Sequence, residues 1–523
     1  MIRLRQIKIE VSLDSNELLI EKISKKLRIK KEEIKSFSIS KKSIDARDKN
    51  NIYYVYEVDI DILNEERVLR KNKSSDILKI NNNSYKIEVK NKENLNKKII
   101  IVGSGPAGLF SAYMLASLGY KPLVIERGEK IEDRVKSVDK FFETGILNTE
   151  SNIQFGEGGA GTFSDGKLNT LTKDKFNRSK KVFEIFVENG APKEIMYLSK
   201  PHIGTDILRK VIINMRNKII DMGGEFRYST KLTNLIIKDN KIKQIEVNSN
   251  ERIDCDILIL AIGHSARDTF KMLNDNSIKM SPKPFAIGLR IMHPQKMINE
   301  SQYGTKYQLD PASYKLTYNT NEKRGVYSFC MCPGGFVVNA SSEEKRLVVN
   351  GMSNYKRDSK NANSAIVVSV SPNDYGKGLF DGIEFQRKLE EKAYQIGLGK
   401  IPIQLYKDYK ANTISKEIGS IEPIIKGKYN FANLNEIFPN YINEALKEGI
   451  DSFGKKIKGF SNDDTLLAGV ESRTSSPIRI ERNEDMTSSI SGVYPIGEGA
   501  GYAGGITTSA IDGLKVVEKI ILY

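Results

Sequence analysis

Apolar positions along this chain change their period several times, and each change marks a different kind of element. Over residues 2–11, isoleucine, leucine and valine alternate with Arg3, Arg5 and Lys8, the period of a half-buried strand. Residues 16–27 switch to helical spacing, with Leu18, Leu19, Ile23 and Leu27 on one face. Strand spacing returns over 36–44 and 52–62, the latter alternating Tyr53, Val55, Glu57 and Asp59. A short helix is expected at 65–71 and a last strand at 85–89. This β-α-β-β-α-β order predicts a small ferredoxin-like α+β module over residues 1–95, followed by an Asn- and Lys-rich linker at 91–97. The module contains no cysteine, so it cannot hold an iron–sulfur cluster by itself.

From Lys98 onward the pattern changes to short, continuous apolar runs broken by glycine. The run before Gly103 and the run 122–125 read as strands on either side of an amphipathic helix. A β-rich stretch follows over 231–262. Residues 283–370 read as many short strands with Gly, Pro and Asn turns, and 381–394 as a helix. The segment 491–516 restores strand, glycine turn and helix, the helix beginning near Gly505 with Ile511, Leu514, Val517 and Ile521 on its buried side. The expected fold class is α/β. A Rossmann-type domain is expected over 98–282 and 461–523, with a β-rich substrate or cap domain inserted at 283–460 and the α+β module in front.

The chemistry is carried by glycine. Gly103-x-Gly105-Pro106-Ala107-Gly108 sits between a predicted strand and a predicted helix. Gly103 allows the tight turn, Gly105 lets the backbone approach a pyrophosphate, and Gly108 lets helix and strand pack closely. The pyrophosphate is expected on the helix N-terminus, where free N–H groups and the dipole favour an anion. Glu126, at the end of the next apolar run, is placed to accept from a ribose 2′-OH, with Arg127 beside it. Three more glycine elements follow, at 156–166, at Gly263 and at 497–505. Four such elements suit a ligand as long as FAD, with the helix after Gly504 and Gly505 pointing its positive end at the flavin. Glu498 is expected on a ribityl hydroxyl or beside the phosphates.

Composition adds limits. The formal charge is +16, from 82 Lys+Arg against 66 Asp+Glu, and half of the excess lies in residues 1–98. These bases are interspersed with acids, so solvated surface is expected rather than a nucleic-acid face. Three cysteines exclude a disulfide framework, and no apolar leader opens the chain, which together suggest a reducing cytoplasm. No membrane span and no metal site are expected. The run 99–125 carries too many glycines, and histidines and cysteines are too few and scattered.

These motifs resemble the two-dinucleotide-binding-domain flavoproteins of the glutathione-reductase-like FAD superfamily, and more closely the family of uncharacterised bacterial FAD-dependent dehydrogenases. Segments 102–109, 156–168, 201–206, 261–269, 330–335, 361–365, 471–477 and 497–506 carry the resemblance. It implies FAD contacts at the first fingerprint, at the 158–167 loop (Gly158, Gly159, Gly161, Thr162, Ser164, Asp165, Gly166 and Lys167) and at the closing motif through Gly497, Glu498, Gly504, Gly505 and Ile506. Disulfide reductases of related fold carry a second fingerprint for NAD(P)H and a C-x-x-x-x-C pair, and this sequence has neither. NAD(P)H is therefore expected only as a transient reductant on the flavin face, with a redox partner protein as the other electron source.

Candidate catalytic residues follow from position. His264 succeeds the Gly263 turn, His202 lies in the 200–206 segment and His293 follows an apolar strand, each a candidate proton donor near pH 7. Cys330 and Cys332, two apart on a strand, share a face and offer paired thiols to one pocket. Arg290, Arg473 and Arg267 are candidate anchors for an anionic substrate. The reading is an FAD-dependent oxidoreductase transferring hydride through non-covalent FAD to or from a small-molecule substrate. The alternatives are a flavin-binding redox sensor without turnover and an RNA-modifying flavoprotein docking nucleic acid through the basic module.

Overall fold

A computed structural model describes residues 1–81, 85–87, 95–170 and 174–522. Strands Ile2–Glu10, Ile34–Asp45, Tyr53–Ile62 and Ile77–Lys79 form an antiparallel sheet in which the first strand lies between the third and the fourth. That is the expected ferredoxin-like arrangement. Helix Asn16–Leu27 starts where Ser15 Oγ accepts from the Leu18 amide at 3.2 Å, and buries Leu19, Ile23 and Leu27. The fourth strand is Ile77–Lys79, not 85–89. Residues 85–87 carry no strand, and 88–89, like 91–94 of the expected linker, lie outside the described residues.

A five-stranded parallel sheet runs Val493–Pro495, Ile257–Leu260, Ile99–Val102, Leu123–Ile125 and Glu225–Arg227 in spatial order. Its inner strands Ile257–Leu260 and Ile99–Val102 are apolar and buried because both faces are covered, whereas the edge strand Glu225–Arg227 is partly exposed. Ile99 and Ile101 pack toward helices Pro106–Ser117 and Ile506–Ile520, whereas Ile100 and Val102 join Leu235, Ile242 and Ile245 of a small antiparallel sheet on the other side. The two helices cross closely. A Cβ on Gly513 would stand 2.5 Å from the Ala107 carbonyl oxygen, and Ser111 Oγ donates to the Gly513 carbonyl at 3.2 Å.

The second half builds a seven-stranded sheet in the order Thr317–Asn319, Gly325–Cys332, Asn361–Val370, Phe285–Pro294, Leu466–Glu471, Ile401–Leu405, Tyr429–Phe431. Phe285, Ile287, Leu289 and Ile291 enter a core shared with residues of helices Asp381–Ile396 and Asn440–Gly454. Ala286 lies in a separate small cluster with Ala365 and Val367. Strand Leu466–Glu471, grouped from sequence with the 461–523 closing segment, pairs inside this larger sheet, between Phe285–Pro294 and Ile401–Leu405.

The N-terminal module grips the rest of the chain through Lys42 and around Tyr307, among other points. The Lys42 amide donates to the Tyr197 carbonyl at 2.7 Å and the Ser199 amide to the Lys42 carbonyl at 2.9 Å. Tyr307 Oη donates to Glu10 and to the Asn50 carbonyl, both at 3.0 Å. Among the described residues no helix is long and apolar enough to cross a membrane.

Candidate functional site

Strand Ile99–Val102 ends at Gly103, whose φ of +98° belongs to glycine and whose Cβ would stand 2.4 Å from the Ala261 carbonyl oxygen. Gly105 caps helix Pro106–Ser117, and its nearest neighbour is the Gly159 Cα, 3.8 Å from where a Cβ would be. The first amides of that helix are left without side-chain cover, and Pro106 occupies the first turn, where an N–H is not needed. A Cβ on Gly108 would lie 1.9 Å from the Gly103 carbonyl oxygen. Each of the three glycines is thus held in its expected geometry.

The other glycine elements converge on the same place. Gly103, Gly105, Gly156, Gly159, Gly161, Gly263, Gly497, Gly504 and Gly505 all line one cavity of about 550 Å³, inside the range of cofactor and small-molecule sites. A Cβ on Gly499 would meet the Gly263 backbone at 2.6 Å, so those two turns lie directly against each other. Gly504 has nothing within 4 Å of such a Cβ, and Gly505 caps helix Ile506–Ile520. Two bare helix N-termini therefore belong to one cleft. This fits a long ligand carrying a pyrophosphate and a polar ring edge.

Several expected ligand residues have other duties. Gly108, Gly158, Thr162 and Gly166 do not line the cavity. Thr162 Oγ1 stands 2.1 Å from where a Gly158 Cβ would be, so both serve the turn itself. Glu126 lines the cleft, but its carboxylate accepts from the Ser104 amide (2.9 Å) and hydroxyl (2.8 Å) and from the Gly128 and Gly156 amides (both 3.0 Å). Those four donors fill its lone pairs. A ribose hydroxyl reaches it only by replacing the rotatable Ser104 hydroxyl. Arg127 stacks on Phe155 at 4.1 Å and pairs with Glu150 and Asp268.

The loop between these glycines is shaped by Arg134, which the sequence reading missed. Fully buried, it donates to the carbonyls of Asn152, Ile153, Gly156, Glu157 and Gly159 at 2.6–3.1 Å. Burial pushes its pKa down to about 9. The signal was present in periodicity: Arg134 shares the buried face of helix Ile131–Thr144 with Ile131, Val138 and Phe141.

The candidate catalytic residues separate into two groups. His264 lines the cavity, its Nδ1 3.8 Å from Glu498 Oε2 and its Nε2 without a partner. Burial, with Arg473 and Arg267 nearby, pushes its pKa down to about 3, so the ring is neutral at pH 7 and is not the imidazolium donor expected. Burial pushes Glu498 up to about 7, against a partial pull from Lys283. Cys330 and Cys332 also line the cavity. Cys330 sits at φ +44° in a bulge of its strand, and its thiol opens to the cleft yet lies deep in the molecule, which pushes it up to about 12.

His202, His293 and Arg290 lie outside the cavity lining. His202 Nε2 bonds the Tyr355 carbonyl at 2.9 Å with its ring stacked on Tyr355, and His293 Nε2 bonds the Phe460 carbonyl at 2.8 Å. Arg290 is wholly buried and spent on Glu471 (2.9 Å), Asn363 (2.7 Å), Asn350 (2.9 Å) and the Cys330 carbonyl (3.2 Å). Arg267 and Arg473 both grip the buried Glu390 through pairs of bonds at 2.8–3.0 Å. None of the three arginines is free for a substrate anion.

Similarity to known proteins agrees with this construction. Residues 96–139 match the family described as an FAD binding domain, and residues 284–474 match the FAD-dependent protein, C-terminal domain-like family. Residues 1–61 match a domain of unknown function. An uncharacterized protein of Clostridium beijerinckii (strain ATCC 51743 / NCIMB 8052) is 47% identical over 99% of this chain and 98% of its own length. The chain belongs to the same family as that clostridial protein. Solved structures with weaker likeness include a halogenase PltM mutant in complex with FAD (9% identity, 81% of this chain and 69% of that one, TM-score 0.36). L-proline dehydrogenase from P. horikoshii shows 12% identity over 81% and 92% of the two chains, with a TM-score of 0.34. At these scores the likeness does not bear on function.

Proposed function

We propose that this protein is an FAD-dependent oxidoreductase that binds FAD non-covalently and acts on a small-molecule substrate in the same cleft. One observation supports this above the others: nine glycines from four distant segments line a single cavity between two bare helix N-termini. When bound, FAD supplies a centre that accepts or gives up a hydride. The amides after Gly105 would hold its pyrophosphate, and Glu126 keeps that turn rigid. The amides at the start of helix Ile506–Ile520 would orient the flavin and favour negative charge on it. Strand Gly325–Cys332 supplies the opposite wall and would cover that face of the flavin. Glu498 holds a proton near neutral pH, and neutral His264 stands beside it as a hydrogen-bonding group.

The test begins with the purified protein. It is expected to be yellow, with flavin close to one per chain, or to become so on adding FAD. A colourless preparation that takes up no FAD overturns the reading. Anaerobic stopped-flow of the flavin band against NADH, NADPH and reduced redox proteins then identifies the electron donor. A flavin that none of them reduces argues for a sensor instead.

A further inference from the structure

The arginines expected to anchor an anionic substrate are consumed inside the protein, yet one end of the cavity keeps uncompensated positive charge. Lys167, Lys200 and Lys315 all line it. Chain pairing holds them near one another: Lys167 bridges to His202, two residues from Lys200, and Lys200 Nζ donates to Ser313 Oγ at 3.2 Å, two residues from Lys315. Asp165 is the acid beside them, 3.5 Å from Lys167 Nζ. Its carboxylate is already claimed by Arg357, through Nε at 2.9 Å and through Nη2. Among the described residues no carboxylate lies within ion-pair distance of Lys200 or Lys315. The surrounding protein and Arg357 hold Lys200 below the ordinary lysine range, as expected where cations gather without a counter-ion.

A second observation points the same way. Tyr314 lies between Ser313 and Lys315, lines the cavity and is 8% exposed, with the Ser364 hydroxyl beside its own. The N-terminal module fixes both lysine-bearing loops, through Lys42 to residues 197–199 and through Tyr307 to Glu10 and Asn50. From these features we infer that the mouth formed by Lys167, Lys200, Lys315 and Tyr314 receives the anionic group of the substrate, a carboxylate or phosphate held by ammonium charges and one phenol. The inference rests on the proposed flavin site, because it assigns this end of the cleft to the substrate.

Succinate, inorganic phosphate and the uncharged succinamide are the probes, titrated into the FAD-loaded full-length protein. Binding is read from perturbation of the flavin band and from the rise in melting temperature. Saturable binding of succinate or phosphate is expected, weakening as salt screens the lysines, and the better of the two tells carboxylate from phosphate. Lys200→Gln and Lys315→Gln should each weaken binding by about tenfold, while Lys200→Arg restores it. FAD content should stay the same in all three. Equal binding of succinamide, or unchanged affinity in the K200Q/K315Q double variant, overturns the assignment. Stoichiometric flavin with no anion binding sinks this inference alone. Failure to take up FAD sinks the reading beneath it, and the melting shift still reports on the lysines.

Discussion

The two walls of the cleft are made of different material. One wall is backbone: glycines at 103, 105, 263, 497 and 505 shape it, and the Glu126 carboxylate is turned inward to hold the turns. The opposite wall is side chain, stiffened by buried ion pairs that Glu471 and Arg473 of its lining enter, with Arg290 on Glu471 and with Arg267 and Arg473 sharing Glu390. Backbone walls fail when atoms are added. Ionic walls fail when a partner is removed, because the remaining charge is stranded without water.

Removing Glu390 should give the largest effect. Glu390→Ala takes from two buried guanidinium groups the carboxylate they share, leaving Glu343 alone to serve both, and a loss of about 3 kcal/mol is expected from denaturant titration. A loss below about 1 kcal/mol would mean that water reaches the cluster and the wall is not sealed. On the backbone wall, Gly108→Ala places a methyl group 1.9 Å from the Gly103 carbonyl oxygen. About 3 kcal/mol of stability and most of the bound FAD should go with it. Gly504→Ala is its control. Nothing stands within 4 Å of that Cβ, so stability should hold while flavin content falls, if the turn faces the cofactor.

Between the walls sits Glu498. Its folded pKa of about 7 lies above that of an exposed glutamate, so the native state keeps a proton the unfolded chain has already released. Stability from this group therefore falls as pH rises from about 4.3 to 7. His264, pushed down to about 3, acts in the opposite sense. Its contribution is lost as pH falls below about 6.5, where the unfolded imidazole gains a proton. The two slopes oppose each other, so the measurement is a difference. Glu498→Gln should gain about 2 kcal/mol over wild type between pH 5 and 7.5, and a flat difference removes the buried-proton assignment. The smallest effect concerns Cys330. With its thiol pushed up to about 12, alkylation at pH 8 should run roughly a hundredfold slower than at an exposed cysteine. Ordinary speed would return it to the list of nucleophiles.

How far the sequence reaches follows the same division. The ferredoxin-like module, the first fingerprint and the closing helix were readable because their signals are local: alternation, a glycine triplet, a cap. The convergence of four glycine turns was readable as well, since each turn announces itself and a long ligand gives them a shared purpose. The ionic wall was not. Arg290 meets Glu471 from a strand 181 residues away in the chain, and nothing near either residue foretells the pairing. Hence arginines read as substrate anchors proved to be mortar, and of the three lysines at the cleft only Lys167 was read as a contact, and that to the cofactor. His264 failed as an acid for a related reason, since burial and two arginines brought from elsewhere set its protonation.

The crossing of helices Pro106–Ser117 and Ile506–Ile520 carries a consequence for synthesis. Ser111 and Gly513 are 402 residues apart, which a ribosome adding residues at about 5–20 per second covers in roughly 20–80 seconds. Throughout that interval the nascent fingerprint helix keeps bare the apolar flank that the closing helix covers, so the cleft between the two can form only once the last residues of the chain have emerged.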